Sequence, residues 1–464
     1  MFKAKSGRGL RVPAKASLFY TAAGALAKAT GLLFTPIFTR VMPAGEYGRY
    51  TLYITALALL SVISSSTVSG SMMYKGYGEL QCKRREFTAG AIGLGFFAVL
   101  PLCTVALIFR RYLGIEGWFI PFLILQLFLD IGISAMHSEL KYRYAYGLSA
   151  LLTVVTSLLS PAVSLLFMRV HRGAYSRIIG LLTVSCAVAL PFILRCVRVG
   201  LYKKEVWRFA MKNSLPLIPG TLAASVIAQA DKLTVSAYMG AEALAPYAVA
   251  HSIGVGLTFV TGSIGSALHP WMLRKLRAGE ESRVCETVSG IYRTLCALTV
   301  ILTALAPEAL AILTPESYSV ALPAVLPIAL STLPSFLLSV ATVASVEEGK
   351  PYCSSVSLLI GAGVNVVANI LTVPRLSYIG AGLSLLLSYA AAAVVGYILP
   401  GGRSLLKRIR IWSLLRTSLL AVFSSLTMTL FYQSLPIRLL LLLLPIGSLI
   451  YSAVDMREYV TEGT

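Results

Sequence analysis

The chain has 464 residues, 57% of them hydrophobic and only 13% charged, with a formal net charge of +21 and a mean hydropathy of +0.78. A soluble domain carries about 25% charged residues, and 19 acidic side chains cannot cover the surfaces of the two or three domains this length would otherwise form. The balance excludes a water-soluble fold and points to lipid as the solvent.

A helix needs about 20 apolar residues to cross the hydrocarbon core. After a basic tail over 1–16, runs of that kind are predicted at 17–39, 50–71, 87–109, 117–137, 149–168, 176–196 and 214–237. They continue at 247–270, 288–312, 321–345, 352–373, 380–400, 411–433 and 436–454, about fourteen in all. The runs are continuous rather than alternating, which excludes a β-barrel, and lipid leaves no partner for the backbone of an open strand. The basic N-terminus resembles a signal peptide, but the run that follows is too long and reads as a retained first span.

The positive charge sorts by loop. With the N-terminus placed in the cytoplasm, 29 Lys and Arg fall on that side, nine on the other and two, Lys28 and Lys232, within spans, which accounts for all 40. This is the positive-inside pattern. It places both termini inside, explains the charge without nucleic acid, and makes anionic lipid headgroups the expected counter-charge. The seven cysteines (Cys82, Cys103, Cys186, Cys196, Cys285, Cys296 and Cys353) avoid the predicted external loops, so no disulfide framework is expected. All loops are short, the longest being the basic segments near 195–213, 271–287 and 401–410, and no external loop is large enough for a domain.

Slid by 197 residues, the chain lays Arg40–Tyr50 on Ala237–Tyr247, with Met, Ala and Tyr coinciding without a gap. The match superposes span 1 on span 7, and both start from the inside, so the repeats are expected to be parallel. The expected fold is therefore an all-α polytopic membrane protein with two pseudo-symmetric six-helix lobes plus two C-terminal helices. The N-lobe would cover 17–200, a cytoplasmic linker 201–213, the C-lobe 214–400, and the last two spans with a cytoplasmic tail 401–464.

The run Phe34-Thr35-Pro36-Ile37-Phe38-Thr39-Arg40-Val41-Met42-Pro43-Ala44-Gly45-Glu46-Tyr47-Gly48-Arg49-Tyr50 resembles the first-span signature of polysaccharide flippases in the multidrug/oligosaccharidyl-lipid/polysaccharide exporter superfamily. Asp231-Lys232-Leu233, Gly240, Tyr247 and His269-Pro270 are similar to the family's span 7–8 region. The resemblance implies a V-shaped pair of lobes around a central cavity in a bacterial cytoplasmic membrane. It implies a flippase that moves a polyprenyl-diphosphate-linked oligosaccharide by alternating access without ATP hydrolysis. Polysaccharide polymerases and glycosyltransferases would be its partners. A multidrug or toxic-compound antiporter of the same superfamily is the alternative; that branch usually has twelve spans. A membrane-embedded glycan polymerase or acyltransferase is a third reading, disfavoured by the short external loops.

Ionisable groups inside spans cost about 2.5–3.5 kcal/mol each at the helix centre, so they are functional candidates by default. Lys28, in the middle of span 1, reads as a cation facing the substrate diphosphate or as a paired structural lysine. Asp231 and Lys232 are adjacent, hence about 100° apart on a helix and unsuited to sharing one partner; Lys232 either contacts substrate or reaches out to the interface. Asp231 joins Asn365 and Asn369, four apart in span 11, and Ser384 and Ser388, four apart in span 12, as the oxygens of a monovalent cation site. The resemblance supports that set, because peptidoglycan-precursor flippases of the superfamily place a sodium site among spans 7, 11 and 12. The alternative is that the amides and hydroxyls are interhelical glue. Asp130 in span 4 has no evident partner; a proton relay and a pair with Lys28 both stay open.

His251 reads either as a cavity-lining group or as a satisfied buried histidine. Arg40 and Arg49 flank the first external turn, as substrate contacts or as interfacial charges. Tyr20, Tyr50, Tyr53, Tyr74, Tyr238 and Tyr247 fall near span ends, where an aromatic belt is expected. The Gly361-Ala362-Gly363 glycines read as close-packing positions. Gly-x-Ser-x-Gly, His-Glu-x-x-His and Walker-type loops are absent, and there are three aspartates in all, so no enzyme, no cofactor and no metal are expected beyond Na+ or H+ as a coupling ion.

Overall fold

The computed structural model describes residues 24, 26, 29–79, 84–109, 116–400, 402–403, 411–443 and 445–447. Among these residues every regular element is helical. Ten stretches are long and apolar enough to cross a membrane, and the longest, Lys204–Arg277 and Tyr352–Ile398, each hold two passes. The first expected span, 17–39, and the last, 436–454, lie partly outside the described residues. The chain forms two compact units, Met1–Leu222 and Ala223–Thr464.

In the first unit, α1 is described over 29–41 and turns at Met42-Pro43 into α2 (Ala44–Ser65). Pro43 holds an extended backbone just before the helix, and Glu46 lies in the first turn, where the helix dipole favours an anion. A 3₁₀ turn over Ser66–Val68 bends the chain into α3 (Gly70–Glu79). Then follow α4 (Arg84–Phe109), α5 (Phe119–Tyr142), α6 (Tyr146–Phe167), α7 (Ala174–Val197) and the short α8 (Lys204–Ser214). The core of the unit includes Tyr53, Phe87, Ile92, Phe119, Leu123, Leu127 and Ile131. On α6, Leu148, Leu151, Val155, Leu158 and Leu166 form an exposed apolar stripe, as a lipid-facing surface requires. Its other face meets α7 closely: a Cβ on Gly180 would lie 2.6 Å from the Ser164 Cα, so only glycine fits.

In the second unit, α9 (Ile218–Gly254), which begins just before the boundary, consists of two arms joined at Gly240. Its φ of 87° lies in a region that side-chain-bearing residues avoid. Gly240 is also the position that the 197-residue offset lays on Pro43, so the turns of the two repeats coincide. The unit continues through α10 (Leu257–Arg277), α11 (Glu281–Ala304), α12 (Ala306–Leu313), a 3₁₀ stretch over Glu316–Ala324 and α13 (Val325–Glu347). Next, α14 (Tyr352–Ile398) folds back on itself at Ser377, giving two arms. The last two helices are α15 (Ile411–Leu430) and α16 (Leu435–Leu441). A Tyr292–Ser418 hydroxyl contact of 2.7 Å ties α15 to α11, and the buried Arg438 of α16 grips Glu308 of α12 through two hydrogen bonds.

Two of the six tyrosines expected at the interface are instead core residues. Tyr53 is buried and donates to the Phe122 carbonyl, and Tyr247 is buried in the second unit. Tyr74 and Tyr238 are exposed, and Tyr20 lies outside the described residues. The six described cysteines are free thiols, and Cys82 lies outside the described residues. Of the two glycines in Gly361-Ala362-Gly363, only Gly361 is a close-packing position; Gly363 faces open space.

Candidate functional site

On the first arm of α9, Ala223, Ile227, Asp231 and Val235 recur every four residues and are all buried. Asp231 thus occupies a core position of an otherwise apolar stripe, with no exposure at all. A carboxylate there must be paired or hydrogen-bonded. Its partners come from the second arm, where Tyr247 and His251 share one face four residues apart. The Tyr247 hydroxyl donates to Asp231 Oδ2 at 2.6 Å, and His251 Nε2 lies 3.4 Å from the same oxygen.

Lys232 completes the cluster. Its Nζ lies 3.7 Å from Asp231 Oδ1 and 3.3 Å from His251 Nε2, and it donates to the Ala228 carbonyl and to Gln229 Oε1. Two expectations are corrected here. Sequence adjacency does not keep the two charges on separate partners, because the four-carbon lysine stem curls back along its own helix and His251 bridges both. Nor does Lys232 reach outward to the interface; it is 9% exposed and points back toward residue 228. Sequence reasoning had passed over Tyr247 as a contact, although its four-residue spacing from His251 was a usable signal.

The two arms of α14 carry matching stripes. Ser357, Gly361, Asn365 and Asn369 on the first, and Gly380, Ser384, Ser388 and Ala392 on the second, recur every four residues and are buried. Val356, Leu359, Ile360, Val367 and Ile370 face outward, so this arm is polar inside and apolar outside, the inverse of a soluble helix. Asn365 Nδ2 donates to Ser388 Oγ at 2.8 Å, Asn369 Nδ2 to Asn365 Oδ1 at 3.1 Å, and Thr372 Oγ1 contacts Ser384 Oγ at 3.0 Å. These groups largely satisfy one another across the two arms. Asn369 Oδ1 and Asp231 Oδ1 are left as buried oxygens without a hydrogen bond.

Gly361 links this network to α9. A Cβ there would meet Ile227 Cδ1 at 3.2 Å, and Asp231 and Asn365 each lie one turn further along their helices. The buried Asp231 carboxylate, held by Tyr247, His251 and Lys232, is a group that can take a proton or a hard monovalent cation. Among the described residues no three His, Cys, Asp or Glu side chains gather as a transition-metal centre.

The remaining candidates lie in the first unit. Asp130 does have a partner: Gln126, one turn earlier, donates to its Oδ1 at 2.7 Å and also to Ser185 on α7 at 3.1 Å. Arg49 pairs with Glu46 at 2.5 Å and Glu116 at 2.9 Å, and Glu46 also caps the α7 N-terminus by accepting from the Ala174 amide. Arg40 donates to the Pro36 carbonyl. A feature not expected from sequence is Arg177, stacked 3.9 Å from the ring centres of both Phe38 and Tyr50. Lys28 lies outside the described residues.

The fold is that of a multi-pass helical membrane protein, and it is similar to several solved structures. It is similar to the lipid II flippase MurJ in an inward closed conformation, at a TM-score of 0.68 and 14% identity, covering 96% of this chain and 99% of that one. It is also similar to an inward-facing multidrug resistance MATE family transporter of the MOP superfamily, at a TM-score of 0.57 and 15% identity, over 86% of this chain and 95% of the other. A MATE transporter of Vibrio cholerae matches at 0.55 and 14% identity, over 86% and 98%. No family model matches the chain, and no curated protein does. The fold is thus similar to that of a lipid II flippase and of MATE transporters.

Proposed function

We propose that the chain flips a polyprenyl-diphosphate-linked oligosaccharide across a bacterial cytoplasmic membrane by alternating access, with both termini in the cytoplasm. The observation that carries this reading is the extent of the likeness to a lipid flippase. It spans 96% of the chain at a TM-score of 0.68, against 86–90% at 0.52–0.57 for the MATE transporters. Coupling to Na+ or H+ runs through Asp231, with Asn365, Asn369, Ser384 and Ser388 holding the oxygen network beside it and Asp130 as a second proton-accepting group. Arg40, Arg49, Lys28, Lys232 and His251 are the cationic and titratable groups assigned to substrate. Glycosyltransferases that build the lipid-linked unit and a polymerase that consumes it are the matching partners.

The test is a leaflet-accessibility assay in vesicles reconstituted with the full chain and defined polyprenyl-diphosphate oligosaccharides. Protein-dependent exposure of the headgroup on the far leaflet supports the reading, and an Asp231→Asn variant should lose the dependence on an ion gradient. Failure to move any such lipid overturns it. The second reading, a multidrug antiporter, is favoured by the MATE likeness; ion-driven movement of an organic cation such as ethidium in the same vesicles, without lipid movement, would select it.

A further inference from the structure

A second polar feature, in the first unit and unrelated to the coupling cluster, is a small cavity of about 90 Å³ at one end of α4, α5 and α7. Arg84, Arg85 and Thr88 line it from the first turns of α4, Glu139 and Arg143 from the end of α5, and Arg195 and Cys196 from the last turns of α7. Four guanidinium groups from three helices therefore converge on one cavity with a single carboxylate. Glu139 engages Arg84 alone, at 3.9 Å, and no described carboxylate lies within ion-pair reach of Arg85, Arg143 or Arg195. Charge sorting between membrane faces needs basic residues on this side, but it does not need them to share a cavity.

The level of the cavity is set by its surroundings. Glu86, one residue beyond Arg85, pairs with Lys203 at 3.6 Å, and Gly90 packs against Val206, so the start of α4 lies beside α8. That helix buries Val206 and Ala210 and carries Lys204, Arg208 and Lys212, the pattern of a helix lying in the membrane interface. Tyr142, Tyr144 and Tyr202 are exposed at the same end, as interfacial aromatics are. The cavity thus opens at headgroup depth, on the face where the chain concentrates its Lys and Arg. Guanidinium forks suit phosphate oxygens in pairs, and basic pockets between membrane helices on this face bind anionic headgroups.

We infer that this cavity binds a phosphate group, supplied by the headgroup of an anionic phospholipid of the adjacent leaflet, with Arg85, Arg143 and Arg195 as its principal ligands. The site stands apart from the substrate assignment and holds whether or not the chain is a flippase.

The test uses the full chain purified in mild detergent, with retained lipid measured by native mass spectrometry after exposure to phosphatidylglycerol or phosphatidylcholine, and melting measured with and without millimolar inorganic phosphate. The parent should retain phosphatidylglycerol and not phosphatidylcholine. Arg143→Gln with Arg195→Gln should lower that retention at least fivefold, Arg143→Lys with Arg195→Lys should keep part of it, and Arg172→Gln at the opposite end should leave it unchanged. Stabilisation by inorganic phosphate that is lost in the Gln pair, without lipid retention, keeps the phosphate site and assigns it to the free anion. Equal retention by the parent and a monodisperse Gln pair, with no response to phosphate, overturns the inference.

Discussion

Removing Lys232 probes the buried cluster most directly. Lys232→Met keeps the apolar stem and deletes the ammonium 3.7 Å from the Asp231 carboxylate, which has no exposure of its own. At that separation, and at an effective dielectric near 20, the lost attraction is about 4–5 kcal/mol. Breaking one partner of a buried ion pair typically costs about 3–5 kcal/mol, because the remaining charge stays desolvated. Asp231→Asn alone strands the ammonium instead, with the Ala228 carbonyl, Gln229 and His251 as its only partners. The double variant Asp231→Asn, Lys232→Met removes both charges and should recover most of the loss, so the coupling between the two substitutions should exceed either single loss. At about 2–4 °C per kcal/mol, each single variant should melt roughly 10 °C below the parent and the double well above both. The assay is thermal unfolding of the purified full chain followed by tryptophan fluorescence and checked by size exclusion. Single variants that melt with the parent, or a double variant that merely adds the two losses, would refute the reasoning.

Gly361→Ala should loosen the α14 network, since the new Cβ would lie 2.8 Å from Ala392 Cβ and 3.0 Å from the Ser388 carbonyl; a loss of about 1–3 kcal/mol is expected in the same melting assay. Arg438→Ala should free α16 by removing its two bonds to Glu308, at a cost of about 1–2 kcal/mol once the partial exposure of the carboxylate is discounted. Limited proteolysis near residue 435 reads the result. The Arg438 hydrogen bond holds the Glu308 carboxyl below its ordinary 4.5. The tether's contribution is therefore complete above that pH and fades as the pH falls through the lowered value. Proteolytic protection of α16 should weaken there in the parent but stay flat with pH in the Arg438→Ala variant.

The offset of 197 residues was a weak signal with a sharp consequence, because it laid Pro43 on Gly240 and both proved to be turns between spans. Asn365, Asn369, Ser384 and Ser388 were legible as two facing stripes, since four-residue spacing puts side chains on one helix face. What spacing does not reveal is whether such groups bind an ion or one another, and here most of them meet across the Ser377 bend. Asp130 shows a missed local signal, for Gln126 stands one turn away on the same helix.

Composition and charge placement alone determined that this is a multi-pass helical membrane protein with a basic face, because lipid solvates neither free backbone nor unpaired charge and so dictates long apolar helices. They also marked Asp231 and Lys232 as costly groups in need of partners. Only the tertiary structure decided who those partners are. Tyr247 and His251 reach Asp231 because the chain doubles back at Gly240, and Lys232 curls inward because its stem has the length to do so. Helical periodicity says which face a residue occupies, whereas the folding-back of one helix on the next says what that face meets.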